Sequence, residues 1–359
     1  MNNKMYENKM PIYLKEMVDL QIVKAKKFQD KKAVSFSFFT DPHITEASNF
    51  SDIETLNYIN NNMDIKFTAC CGDNLDNGIT KHIHLDTAEK LINRLSFDNY
   101  FTVKGNHDDN SIISNGVDNV KYTMVPQEQY NIMFKRLEGI VQFDEANREG
   151  MYYYYDMPEY KTRAIFLNSI DIPYFKNQYN KAAWKYDGQN TYAYSNAQLN
   201  WLAHIALKIP NEQWKVMFFT HVNPFPEEMI GADNLVYNGT IMLGIIDAFK
   251  MGIKYNSIAT TGDFEQSVSV DFSSQGLGKV IAFFYGHTHS EQVLTRNGIK
   301  YISTWNDAPR KSLSNPNAPT RVIGKVSEIC LNIVTVNFDL NKIFITKIGV
   351  GDDLVIDIL

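Results

Sequence analysis

The 359-residue sequence predicts a mixed α/β fold in which two β-sheets share one domain. Two observations predict it. Between residues 33 and 108, β-rich runs alternate with a helix-forming stretch, the pattern of βαβ units with largely parallel pairing. Beyond residue 300, β-rich runs succeed one another with only loops between them, which favours antiparallel pairing. A third observation bears on function, because five short polar blocks each follow a β-rich run.

In chain order, residues 12–29 read as an amphipathic helix. Leu14, Met17, Val18, Ile22, Ala25 and Phe28 share one face, with lysines opposite. Residues 1–30 are therefore expected to pack as a helix on a single main domain, 31–359. Strands are expected over 33–40, running into Asp41, and over 64–71, ending at Gly72-Asp73. A helix over 79–95 and a short strand over 100–103 lead to Gly105. Strands over 152–156 and 163–168 flank Pro158 as a hairpin. Ser195-Asn-Ala-Gln198 is a capping-box pattern, opening a helix that buries Leu199, Leu202, Ala203 and Ala206. A strand over 215–220 delivers His221, a helix covers about 240–251, and a strand over 279–285 delivers Gly286. Runs at 300–303, 329–337 and 342–350 read as three antiparallel strands, with 320–359 supplying C-terminal strands of the second sheet.

Composition narrows the class. A hydrophobic share of 44%, with 20 Tyr and 22 Phe, suits a large packed core. The net charge of −6 argues against a broad nucleic-acid groove. Three cysteines, two of them adjacent, do not make a disulfide framework and suit a reducing cytoplasm. The polar N-terminus has no apolar signal core, and no run reaches membrane-spanning length.

The five blocks carry the chemistry. They are Asp41-Pro-His43, Gly72-Asp73, Gly105-Asn106-His107-Asp108, His221 and Gly286-His287-Thr288-His289. Carboxylate, amide and imidazole suit divalent first-row metals. Side chains at i and i+2 point the same way on a strand, so Asp41 and His43, or His287 and His289, can project together. Each block alone is weak. Asp-x-His and Gly-Asp recur in unrelated turns, and Gly262-Asp263 is set aside because no clean apolar strand precedes it. His82, His84 and His204 sit on predicted helices and read as structural or solvent-facing. Asp76 is either a support behind the ligands or the cap of the following helix. All five blocks in order, each after a strand, point to metal-assisted hydrolysis.

Their order and spacing resemble the calcineurin-like metallophosphoesterase superfamily over residues 34–305. The pattern Asp-x-His, Gly-Asp-x-x-Asp, Gly-Asn-His-Asp, His, Gly-His-x-His is met by Asp41 and His43, Gly72 to Asp76, Gly105 to Asp108, His221, and Gly286 to His289. The resemblance implies a metallo-dependent phosphatase-like four-layer αββα sandwich with two divalent ions, whether Mn, Fe, Zn, Co or Ni. One ion would take Asp41, His43 and His289. The other would take Asn106, His221 and His287, with Asp73 bridging. Hydroxide held at the metals would attack phosphorus. His107 would contact the phosphoryl oxygen or protonate the leaving group, and Asp108 would orient its ring. The chain lacks the Asp-Arg-Gly of the Ser/Thr phosphatases, and it has Asp76 where purple acid phosphatases have tyrosine. The implied substrate is a phosphate mono- or diester, a small molecule or nucleotide. A nuclease and a non-catalytic binding scaffold remain alternatives. Aromatic residues at 171–195, including Tyr174, Phe175, Tyr179, Trp184, Tyr186, Tyr192 and Tyr194, either pack as a lid or stack on a base.

Overall fold

A computed structural model describes residues 7–78, 80–111, 118–177, 183–225, 235–310 and 315–358. Two large sheets dominate it. The first contains β1 (Ala33–Phe39), β2 (Thr68–Cys70), β3 (Tyr100–Thr102), β15 (Cys330–Asn337), β16 (Lys342–Gly349) and β17 (Leu354–Asp357), in the order β17-β16-β15-β1-β2-β3. The second contains β4 (Gln142–Phe143), β5 (Tyr153–Met157), β6 (Thr162–Phe166), β8 (Lys215–Phe219), β12 (Lys279–Tyr285), β13 (Gln292–Arg296) and β14 (Ile299–Ser303), in the order β13-β14-β12-β8-β6-β5-β4. Two small pairs lie outside them, β7 (Tyr192–Ala193) with β9 (Val236–Tyr237) and β10 (Lys254–Asn256) with β11 (Ser269–Asp271).

The strands that precede the blocks are parallel. β1, β2 and β3 pair parallel in one sheet, and β6, β8, β12 and β14 do so in the other. Every residue of β1 is buried, as expected of a strand covered on both faces. The two sheets meet through aromatic rings. Phe36 of β1 packs edge-on against Phe219 and Phe284 at 5.6 and 5.4 Å. On the outer side of the first sheet, α1 (Ile12–Lys26) packs on β16 through Leu14, Val18, Ile22 and Ala25. Helices α2 (Ser51–Asn62) and α3 (Lys81–Arg94) complete that side. After the short α4 (Pro126–Gln129), α5 (Asn196–Trp201) and α6 (Gly239–Met251) share a second core with Ile165, Phe218, Phe283 and Tyr301. The result is the αββα sandwich. Among the described residues, no helix is long and apolar enough to cross a membrane.

Two expectations are corrected. The C-terminal strands do not extend a sheet apart from β1: β15 pairs antiparallel with β1 itself, from Ala33↔Asn337 to Phe38↔Asn332. Nor is the 300–303 strand their antiparallel neighbour, since β14 joins β12 in parallel in the other sheet. Antiparallel hairpin logic fits β15 and β16, but chain proximity does not choose the sheet. Helix α2 had no counterpart in the sequence reading, although Ile53, Leu56 and Ile59 mark a buried face at three-residue spacing.

The capping box forms by half. Ser195 Oγ accepts from Gln198 N at 3.2 Å, while the Gln198 side chain turns away to Asn168 and Asp171.

Candidate metal centre

The five blocks converge at the carboxyl ends of β1, β2, β3, β8 and β12. There the backbone leaves the extended conformation. Asp41, His43, Asp73, His287 and His289 all have positive φ, between 45° and 69°. Such conformations cost non-glycine residues about 1–3 kcal/mol each and cluster at functional sites. The i, i+2 pairs therefore do not share a face by strand alternation, because each pair straddles a left-handed turn.

Close packing of loop on loop holds these turns. Asp41 N donates to Gly72 O, His43 N to Asp73 O and Gly286 N to His221 O, each at 3.0 Å. A Cβ on Gly286 would lie 1.9 Å from Thr40 Oγ1 and 2.8 Å from Asp41 Oδ2. Gly286→Ala is expected to cost about 1–3 kcal/mol of stability, read by urea denaturation, since overpacking forces backbone shifts. An unchanged midpoint would show that the loop yields freely.

The ligand atoms form two adjoining groups. In the first, His43 Nε2 and His289 Nε2 are 3.0 Å apart, and Asp41 Oδ1 is 3.2 Å from His289 Nε2. Asp41 Oδ1 is buried with no hydrogen-bond partner, while Asp41 Oδ2 accepts from Thr40 Oγ1 and His287 N. In the second, Asn106 Oδ1 is 2.8 Å from His221 Nε2 and 3.0 Å from His287 Nδ1. Asp73 lies between them. Its Oδ1 is 3.5 Å from His221 Nε2, and its Oδ2 is 3.7 Å from His43 Nε2.

This donor chemistry fits cations. His221 Nδ1 must donate to the Cys71 carbonyl, at 2.7 Å, so a neutral ring turns an unprotonated Nε2 towards the Asn106 and Asp73 oxygens. Two imidazole nitrogens about 2.0–2.1 Å from one ion in cis positions stand about 3 Å apart, as those of His43 and His289 do. Asp41, His43, Asp73 and His289 can present one atom each within 4.8 Å of one another.

Burial and charge set the protonation states. Burial pushes His43 down and His287 down to about 3, so both rings are neutral lone-pair donors at neutral pH. Burial works against the Asp41 charge, but His289 and its neighbours hold that carboxyl well below the usual range.

His107 stands over the site, with Nε2 3.9 Å from Asp73 Oδ2. Burial opposes its charge, yet Asp73 and Asp76 push it up to about 9. The carboxylate beside its ring is Asp76, whose Oδ1 is 3.3 Å from His107 Nδ1 and 3.7 Å from His43 Nδ1. Thr80 caps α3, so Asp76 serves as the support and not as the cap. The orienting task expected of Asp108 is corrected. Asp108 Oδ1 accepts from Leu75 N at 3.0 Å, and Oδ2 from Gly105 N at 2.7 Å and Asn74 Nδ2 at 3.1 Å. It braces two ligand loops from beneath, because adjacent side chains on a tight turn diverge.

Three neighbours escaped the sequence reading. Asn77 Nδ2 is 2.8 Å from His107 Nδ1, Gln189 Nε2 is 3.3 Å from His107 Nε2, and Arg310 Nη1 pairs with Asp76 Oδ2 at 2.9 Å. Gln189 and Arg310 lie far along the chain in unpatterned loops, so no spacing rule reaches them.

The aromatic residues of 171–195 mostly pack on protein. Tyr174 bonds Asp109 and Lys104, Trp184 Nε1 donates to Thr123 Oγ1 at 2.9 Å, and Tyr186 lies 4.8 Å from Phe264. Tyr192 touches the site edge-on to His287, at 5.1 Å. Tyr179 falls outside the described residues. His84 is structural, with Nε2 3.0 Å from Asp108 O, and His82 is at the surface beside Asp86. Asp263 pairs with Lys185 and Tyr186 away from the site.

The model of a family described as calcineurin-like phosphoesterase matches residues 34–291. No curated protein matches. A dimetal phosphatase from Danio rerio is similar in structure, with 13% identity, a TM-score of 0.56, and coverage of 91% of this chain and 99% of that one. GAP50, the anchor in the inner membrane complex of Plasmodium, has 12% identity and a TM-score of 0.46, covering 91% and 89%. Yellow lupin purple acid phosphatase has 14% identity and a TM-score of 0.45, covering 92% and 53%. With the family match spanning most of its length around this Asp and His cluster, the chain belongs to the calcineurin-like phosphoesterases and is a metal-dependent phosphoesterase.

Proposed function

We propose that the protein hydrolyses a small phosphate ester or nucleotide at a two-cation centre. Asp41, His43 and His289 hold one ion, Asn106, His221 and His287 hold the second, and Asp73 reaches both. The supporting observation is that the buried Asp41 Oδ1 lies 3.2 Å from His289 Nε2 and 3.9 Å from His43 Nε2, with those two ring nitrogens 3.0 Å apart, beside an Asp73 carboxylate that faces both groups. Mn, Fe, Zn, Co or Ni suits these nitrogen and oxygen donors. When bound, such ions polarise phosphoryl oxygens and lower the pKa of water from about 15.7 to about 7.

The chain's own groups do the rest. The Asp41 and Asp73 carboxylates offset cation charge in a buried setting. His107, held by Asp76, carries a proton towards the open side of the site and gives it to the departing alkoxide. Water loses one proton to solvent and its oxygen forms the new bond to phosphorus as the phosphorus–alkoxide bond breaks; the alcohol leaves with the proton of His107, which solvent then replaces.

The test uses bis-p-nitrophenyl phosphate and p-nitrophenyl phosphate with Mn. Turnover of at least one ester, lost on chelation and restored by Mn, is expected. A protein that binds two Mn per chain and cleaves neither ester would instead be a binding scaffold.

A further inference from the structure

We propose that Arg310 receives a second negative charge on the substrate, so that the site favours a phosphomonoester dianion, or an ester bearing a further phosphoryl group, over a simple phosphodiester. This rests on the phosphoester reading of the same site.

Arg310 is tied to the metal loops through the backbone. Arg310 N donates to Ala308 O at 2.7 Å, and Ala308 N donates to Asp41 O at 3.0 Å. Asn306 Nδ2 holds the Arg310 carbonyl at 3.2 Å. Among the described residues the side chain pairs with Asp76, and 51% of its surface is exposed. One carboxylate thus separates the guanidinium from His107 Nδ1 and His43 Nδ1. A guanidinium offers five N–H donors in a planar fork, and Nη1 on Asp76 uses one end of it. On the other side of His107 stands Gln189, a neutral amide. The rim is therefore polarised, with a cation behind Asp76 on the Nδ1 side of His107 and His43, and an uncharged group at Nε2 of the ring that protonates the leaving group. A dianion or a second phosphoryl group gains a charge-assisted contact at Arg310, whereas a diester monoanion, whose one charge lies between the ions, gains none.

The experiment compares wild type, Arg310→Gln and Arg310→Lys, each loaded with Mn. KM is measured for p-nitrophenyl phosphate and bis-p-nitrophenyl phosphate, and Kd for inorganic pyrophosphate by calorimetry. Arg310→Gln is expected to raise the monoester KM and the pyrophosphate Kd about tenfold. The diester KM stays within about twofold, Mn content is unchanged, and Arg310→Lys recovers part of the loss. A rise confined to the monoester places the reading at the scissile phosphate, and one confined to pyrophosphate places it at a further phosphoryl group. Equal shifts for both esters, no shift in any ligand, or a fall in kcat with loss of Mn would overturn the proposal, the last by showing that Arg310 acts through Asp76. If wild type cleaves neither ester, the phosphoester reading fails by itself. The pyrophosphate arm then still decides, since an unchanged Kd, or no binding by wild type, removes the role of Arg310.

Discussion

Asp73→Asn is expected to empty both metal positions and to lower turnover about a thousandfold. Asp73 presents Oδ1 to His221 and Oδ2 to His43, so one substitution removes charge from both ligand groups at once. Its Oδ1 also accepts from His107 N at 2.8 Å, which ties the His107 loop to the same carboxylate. An amide keeps one oxygen but loses the negative charge that offsets two buried cations. Metal catalysis of this kind supplies several kcal/mol, and about 4 kcal/mol corresponds to a thousandfold. Metal content after dialysis, set beside wild type, is the decisive reading. Loss of one ion with the other retained would show that Asp73 serves a single position.

His107→Gln is expected to keep both metals while kcat falls about 10²–10⁴-fold, the usual contribution of a general acid. The fall should be large for an alkyl ester and small for a p-nitrophenyl ester, because p-nitrophenolate departs without needing a proton. Equal losses on the two esters would assign His107 to phosphoryl contact instead, and loss of metal would make it a ligand. The geometry adds a second reading. At saturating metal, Asp76→Asn should lower kcat in wild type but add little to His107→Gln, as partners in one interaction do in a double-mutant cycle. Asp108→Asn should be additive with His107→Gln. Its carboxylate serves Leu75 N, Gly105 N and Asn74 Nδ2, so its loss costs loop stability and not ring orientation.

Much of this site was legible in the sequence because each block is local. A strand followed at once by Asp41, Asp73, Asn106, His221 or His287 fixes which end of a sheet the residue occupies, and parallel strands bring those ends together. Helix positions 14, 18, 22 and 25 were readable for the same reason, as one buried stripe at helical spacing. Reasoning failed where it extended local rules past a turn. Alternation was invoked for His287 and His289, yet their φ values of 69° and 48° send one ring to Asn106 and the other to Asp41. Adjacency suggested Asp108 as the partner of His107, but a side chain's neighbour in sequence is not its neighbour on a left-handed or bent backbone.

The sequence by itself determined the class of chemistry, the five candidate blocks and the strands that carry them, because those depend on residue identity and short spacing. Only the tertiary structure decided that β15 closes on β1, that Asp76 and not Asp108 stands behind His107, and that Gln189 and Arg310 reach the rim of the site. Each of those facts depends on packing between segments tens to hundreds of residues apart, where no periodicity connects the partners and only the folded chain brings them within hydrogen-bond distance.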